Sequence, residues 1–283
     1  MTVPAIAWTA VAGPSTSSGT DGTSSGTDGT SSGTGEAPLV VLGPSLGTST
    51  ILWEDVVPAL AADYRVVAWD LPGHGASAAA GEPFTTGELA DAVAARVREL
   101  GADRVLYAGV SLGGAVGLEL CLRHPDLVVA AAIVASGAQL GDPPAWHERA
   151  AQVRAQSTSS LIVPSAQRWF APGSVARRPE ITGRLLHALQ DADDQSYALC
   201  CEALAAYDVR GELGRIGTPL LVVWGEHDAV APVAKAAEIA DGVADGRLIE
   251  IADAAHLPPA EQPEATASVL REFFAAQRQE AST

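Results

Sequence analysis

The sequence predicts an α/β protein: a mostly parallel sheet with helices on both faces and a helical cap. Two observations carry this. Short apolar runs rich in β-branched residues alternate with segments of helical period, and wholly apolar strands belong to sheets covered on both sides. The alternation then stops over residues 137–211, where helical spacing continues without a strand, and resumes afterwards. The reading is a core of 1–136 and 212–283 interrupted by a cap at 137–211.

The elements follow in order. PLVVL at 38–42 is a strand, followed by helical spacing over about 53–61. RVVAWD at 65–70 is a second strand, ended by the turn LPGHGAS. Thr85-Thr86-Gly87-Glu88 opens an amphipathic helix to about Leu100, with Gly101 as its stop. RVLYAG at 104–109 leads through a glycine-flanked turn into a helix from Leu112 to Arg123, and 127–136 is a fourth strand. After the cap, strands at 219–225 and 246–253 enclose a helix near 232–241, and a final helix spans about 261–277.

Residues 14–37 break the pattern. SSGTDGT at 17–23 repeats at 24–30, and SSGTGEA follows. Gly, Ser, Thr and Asp bury too little surface to offset ordering, so a flexible insert is expected here.

Composition narrows the function. The 283 residues hold 17 Lys+Arg against 34 Asp+Glu, a net charge of -17. Such a surface repels phosphate backbones and anionic lipid, so neither nucleic acid nor membrane is expected as a partner. No apolar run is long enough to span a bilayer. The first basic residue is Arg65, so a secretory signal is not expected either. Cys121, Cys200 and Cys201 form neither a disulfide framework nor a metal-ligand spacing, and read as buried thiols of a cytoplasmic protein.

The pattern G-x-S-x-G occurs four times, at 22–26, 29–33, 43–47 and 109–113, so context must choose among them. The first two lie in the repeat. Gly109-Val110-Ser111-Leu112-Gly113 joins a strand directly to a helix, the setting of a nucleophile elbow. Its turn is too tight for side chains two residues either side of Ser111. The segment 43–47 also follows a strand but opens no helix. It suits the second half of an oxyanion hole, with one N–H from Leu46 and one from Leu112.

A serine hydroxyl needs a base, and the base an orienting acid, in the chain order Ser, acid, His. Of six histidines only His256 follows the last strand. Asp228 is the acid expected, ahead of Glu226 in the same loop; Asp70 is expected to brace the LPGHGAS turn instead.

At these residues the chain resembles the α/β-hydrolase fold. A narrower resemblance links VLGPSLGTS with LWEDVVPAL, WHERAAQVR, QRWFAPG and SYALCCEALAAYDVR to the 3-oxoadipate enol-lactonases. Pro44 stands where that family commonly has Asn, and Gln139 where many members carry a basic residue. The resemblance implies opening of 3-oxoadipate enol-lactone to 3-oxoadipate, in aromatic-compound breakdown, through an acyl-enzyme on Ser111, without metal or cofactor. An anionic small-molecule substrate calls for a cation in an apolar pocket. Arg149 and Arg168 are the candidates, with Trp146 and Trp169 as pocket walls. A broad-specificity carboxylesterase or C–C bond hydrolase would use the same triad. A catalytically silent ligand-binding relative is the reading of another class.

Overall fold

A computed structural model describes residues 4–11, 13 and 37–280. The insert expected at 14–37 lies, except for Ala37, outside them. Seven strands form one sheet: β1 (Trp8–Val11), β2 (Leu39–Gly43), β3 (Arg65–Trp69), β4 (Val105–Val110), β5 (Val128–Val134), β6 (Leu220–Gly225) and β7 (Gly246–Ile251). Their order is β1-β3-β2-β4-β5-β6-β7. All neighbours are parallel except β1, which runs antiparallel to β3 with Trp8 opposite Trp69.

The helices are α1 (Val57–Leu60), α2 (Thr86–Glu99), α3 (Leu112–Arg123), α4 (Pro143–Gln156), α5 (Ile162–Trp169), α6 (Ser174–Arg177), α7 (Pro179–Asp191), α8 (Asp194–Ala206), α9 (Val233–Gly242), α10 (Pro258–Glu261) and α11 (Pro263–Glu280). Every residue of β2 and β4 is buried. The α2 helix starts on a capping box, with Thr85 Oγ1 accepting from Glu88 N and Glu88 Oε2 accepting from Thr85 N. It stops at Gly101, whose φ of 75° needs no Cβ. The α4–α8 block leaves the sheet between β5 and β6, as the change of rhythm predicts.

Four details differ from the sequence reading. The N-terminal strand β1 was not expected, because its pairing depends on β3, far along the chain. The stretch 53–61 is a 3-10 turn (Thr50–Trp53) and a single helical turn, not one helix. The last helix divides at Gln262, because the residue before Pro263 is driven out of the helical region, to φ -136° and ψ 63°. The β7 strand is not covered on both faces: Arg247 to Glu250 are all exposed, since it is the outermost strand.

Candidate active site

Ser111 sits between β4 and α3 at φ 55° and ψ -114°, a conformation that L side chains rarely adopt. Neighbouring bonds hold it there. Its N–H donates to Val134 O at 2.9 Å, and its carbonyl accepts from Ser136 Oγ at 2.7 Å. Tyr107 Oη donates to Gly113 O at 2.7 Å. The glycines are required by contact: a Cβ on Gly109 would lie 2.2 Å from Gly113 O, and one on Gly113 would lie 2.6 Å from Pro44 O.

His256 and Asp228 are both buried. Asp228 Oδ2 lies 3.0 Å from His256 Nδ1, and Asp228 Oδ1 accepts from Val230 N at 2.7 Å and Ala231 N at 3.0 Å. Asp228 therefore has one oxygen fixed by its own loop and the other aimed at the imidazole. Glu226 points elsewhere, accepting from Asp253 N at 3.1 Å on the exposed surface. With His227 and Asp253 it forms a cluster of possible metal ligands within 4.8 Å of one another, all exposed.

The loop after β2 packs against the elbow. Pro44 O accepts from Gly113 N at 2.9 Å. Ser45 N donates to Thr48 Oγ1 at 3.1 Å and Gly47 N to His74 Nε2 at 3.2 Å, whereas Leu46 N has no acceptor among the described residues. Leu112 opens α3, so its N–H also lacks an intrahelical partner. His74 is fully enclosed, with Nδ1 at 2.9 Å from Pro72 O, and burial pushes its pKa down to about 4. Asp70 braces the LPGHGAS turn through Ala76 N at 3.0 Å, as expected. It also ties that turn to the β2 loop through Thr50 N at 2.8 Å.

Ser111, His256 and Leu46 line one cavity, and helices α4, α5 and α8 close it with Trp146, Arg149, Arg168, Trp169 and Tyr197. Its free volume is about 30 Å³, room for roughly two water molecules. Arg149 lies over the Trp146 ring, 5.0 Å from its centroid. Arg168 has its pKa lowered by burial and by the charge of Arg149. Among the described residues neither arginine has a carboxylate partner. Others do: Arg154 pairs with Glu202 and Arg184 with Glu54.

A hydroxyl at a strained turn, an imidazole tied to a carboxylate, and the N–H groups of Leu46 and of the residue after the serine are parts suited to acyl transfer. The sequence profile of the alpha/beta hydrolase fold matches residues 38–263. This chain belongs to the α/β-hydrolase family. It is 34% identical over 230 residues to 3-oxoadipate enol-lactonase 2 of Acinetobacter baylyi, covering 81% of this chain and 86% of that one. It is 32% identical over 234 residues to a pimeloyl-[acyl-carrier protein] methyl ester esterase of Neisseria meningitidis, covering 80% and 90%. The crystal structure of the enol-lactonase from Burkholderia xenovorans superposes with a TM-score of 0.82 at 33% identity, covering 85% and 92%. The enzyme class follows: an α/β-hydrolase acting on lactones or esters.

Of the residues singled out in the sequence, Ser111, His256, Leu46, Trp146, Arg149, Arg168 and Trp169 line this cavity; Asp228 reaches it only through His256, and Leu112 is the residue after Ser111. Gln139 is not among the residues lining the cavity. Sequence reasoning assigned no role to Tyr197, Ser45 or Val230, which line the cavity, or to His74, which accepts from Gly47 N. For His74 the signal was present: a histidine between two glycines in the turn after β3. Tyr197 gave none, since an aromatic at helical spacing is ordinarily core.

Proposed function

We propose that the chain opens an anionic enol-lactone of the 3-oxoadipate type by serine catalysis under a cap formed by residues 137–211. The observation carrying this reading is the pair Arg149 and Arg168, which line one cavity with Ser111 and His256 and have no carboxylate partner among the described residues. In a protein with twice as many acidic as basic residues, two unpaired cations in one cavity suit a substrate carboxylate. Trp146 and Trp169 supply apolar walls for the ring.

Ser111 Oγ attacks the lactone carbonyl while His256 Nε2 takes its proton, and Asp228 holds the imidazole by Nδ1. The oxyanion accepts from Leu46 N and Leu112 N; losing one such donor typically costs about 2.7–4 kcal/mol. Collapse breaks the ring C–O bond, and His256 returns the proton to the departing enolate oxygen. The enol becomes the ketone. Water, deprotonated by His256, then attacks the acyl-enzyme, releasing the second carboxylate and restoring Ser111. No step calls on a metal or cofactor.

The test is turnover of enol-lactone generated in situ from muconolactone, by wild type and by Ser111→Ala. Fast hydrolysis that disappears in the variant is the expected result. If wild type leaves the lactone intact but cleaves p-nitrophenyl acetate through Ser111, the protein is a carboxylesterase and the lactone assignment is wrong.

A further inference from the structure

We propose that Glu261 is a positioning residue: its carboxylate fixes the loop that carries His256 and couples that loop to the cap at Ala171. This rests on the reading of His256 as the base.

The loop has few ways to hold itself. Pro258 and Pro259 follow His256 and contribute no N–H, and α10 is a single turn. Buried N–H groups nevertheless need acceptors. The N–H groups of Ala255 and Leu257, either side of the histidine, both donate to Glu261 Oε1, at 2.8 and 3.3 Å. The N–H of His256 itself donates to Trp169 O at 3.1 Å. Glu261 Oε2 accepts from Ala171 N at 2.6 Å, two residues beyond Trp169. Three consecutive peptide units at the base are thus held by one carboxylate and one carbonyl at the end of α5.

Glu261 is only 3% exposed, and both its oxygens are committed to N–H donors. That requirement explains a carboxylate here. A glutamine offers one acceptor oxygen, and its NH₂ must oppose an N–H on the other side. The side chain does not line the Ser111 cavity, so its effect passes through His256. Since Trp169 and Arg168 stand on the same cap segment, the seat of the cap and the aim of the imidazole are set together.

The decisive experiment is a double-mutant cycle on p-nitrophenyl acetate, a neutral ester that makes no demand on the arginines. Glu261→Gln is expected to lower kcat tenfold or more with KM within threefold. In a His256→Ala background the same change should produce no further loss. An unchanged kcat, or an equal loss in both backgrounds, overturns the proposal. Should Glu261→Gln fail to fold, Ala171→Pro is read by the same cycle. It deletes one donor, and Phe170 before it is already extended at φ -117° and ψ 136°. A kcat loss absent from the His256→Ala background supports the coupling; no loss, or equal losses, overturns it. His256→Ala alone separates the two assignments. If it keeps wild-type turnover, the base assignment falls and the role of Glu261 with it. If it is inactive while Glu261→Gln matches wild type, only the positioning role falls.

Discussion

His74 shows how one buried side chain supports the proposed chemistry from outside it. Its Nε2 accepts from Gly47 N, beside the free N–H of Leu46. Only a neutral ring with its proton on Nδ1 can do so. Because burial lowers the pKa to about 4, the unfolded chain takes up a proton near pH 6.5 before the folded one does. Stability is therefore full above pH 6.5 and falls as the pH drops towards 4, by up to about 3 kcal/mol. Urea unfolding at pH 7, 5.5 and 4 should show a steeper decline for wild type than for His74→Asn. Arg168→Ala addresses the other end of the cavity. Removing a charged hydrogen-bond donor is expected to cost about 1.5–3 kcal/mol, raising KM for an anionic lactone at least tenfold. KM for a neutral ester should change by less than threefold; equal changes would remove Arg168 from the carboxylate role.

The elbow and the β2 loop act as one unit because their backbones touch. Gly113 has no room for a Cβ against Pro44 O, so Gly113→Ala must push the two apart. Overpacking of this kind typically costs about 1–3 kcal/mol. Here it should also move Leu46 and Leu112 relative to Ser111, so kcat is expected to fall further than the melting temperature alone suggests. The capping box on α2 provides the contrast. Thr85→Ala removes the acceptor for Glu88 N and should cost about 1 kcal/mol of stability. Thr85 does not line the cavity, so kinetic constants should stay at wild-type values. A kinetic effect there would mean that α2 communicates with the site.

The candidate site lies where the sheet and the helical block meet. The cavity lies between the elbow on the sheet side and α4, α5 and α8 on the other, so a substrate there touches both. The repeat insert at 14–37 is expected from its composition to carry no catalytic role. Deleting residues 15–36 should leave both activity and melting temperature nearly unchanged, because loop length contributes only slowly to closure entropy. A large loss in either would assign the repeat a structural role.

Ser111, Asp228 and His256 could be singled out as candidates from sequence because each sits at a local landmark: a Gly-flanked strand-to-helix turn and the loops after two apolar strands. Such landmarks depend on nearest neighbours and on chain order, both printed in the sequence. It also distinguished Asp228 from Glu226, since the shorter side chain further along the loop reaches the imidazole. The strand β1, the vacant pairing of Arg149 and Arg168, the brace at His74 and the clamp at Glu261 were not legible. Each depends on residues far apart in the chain: 90 positions separate Ala171 from Glu261, and 27 separate Gly47 from His74. A buried carboxylate in a proline-rich turn reads from sequence as a surface charge. Only packing reveals the three N–H groups that hold it.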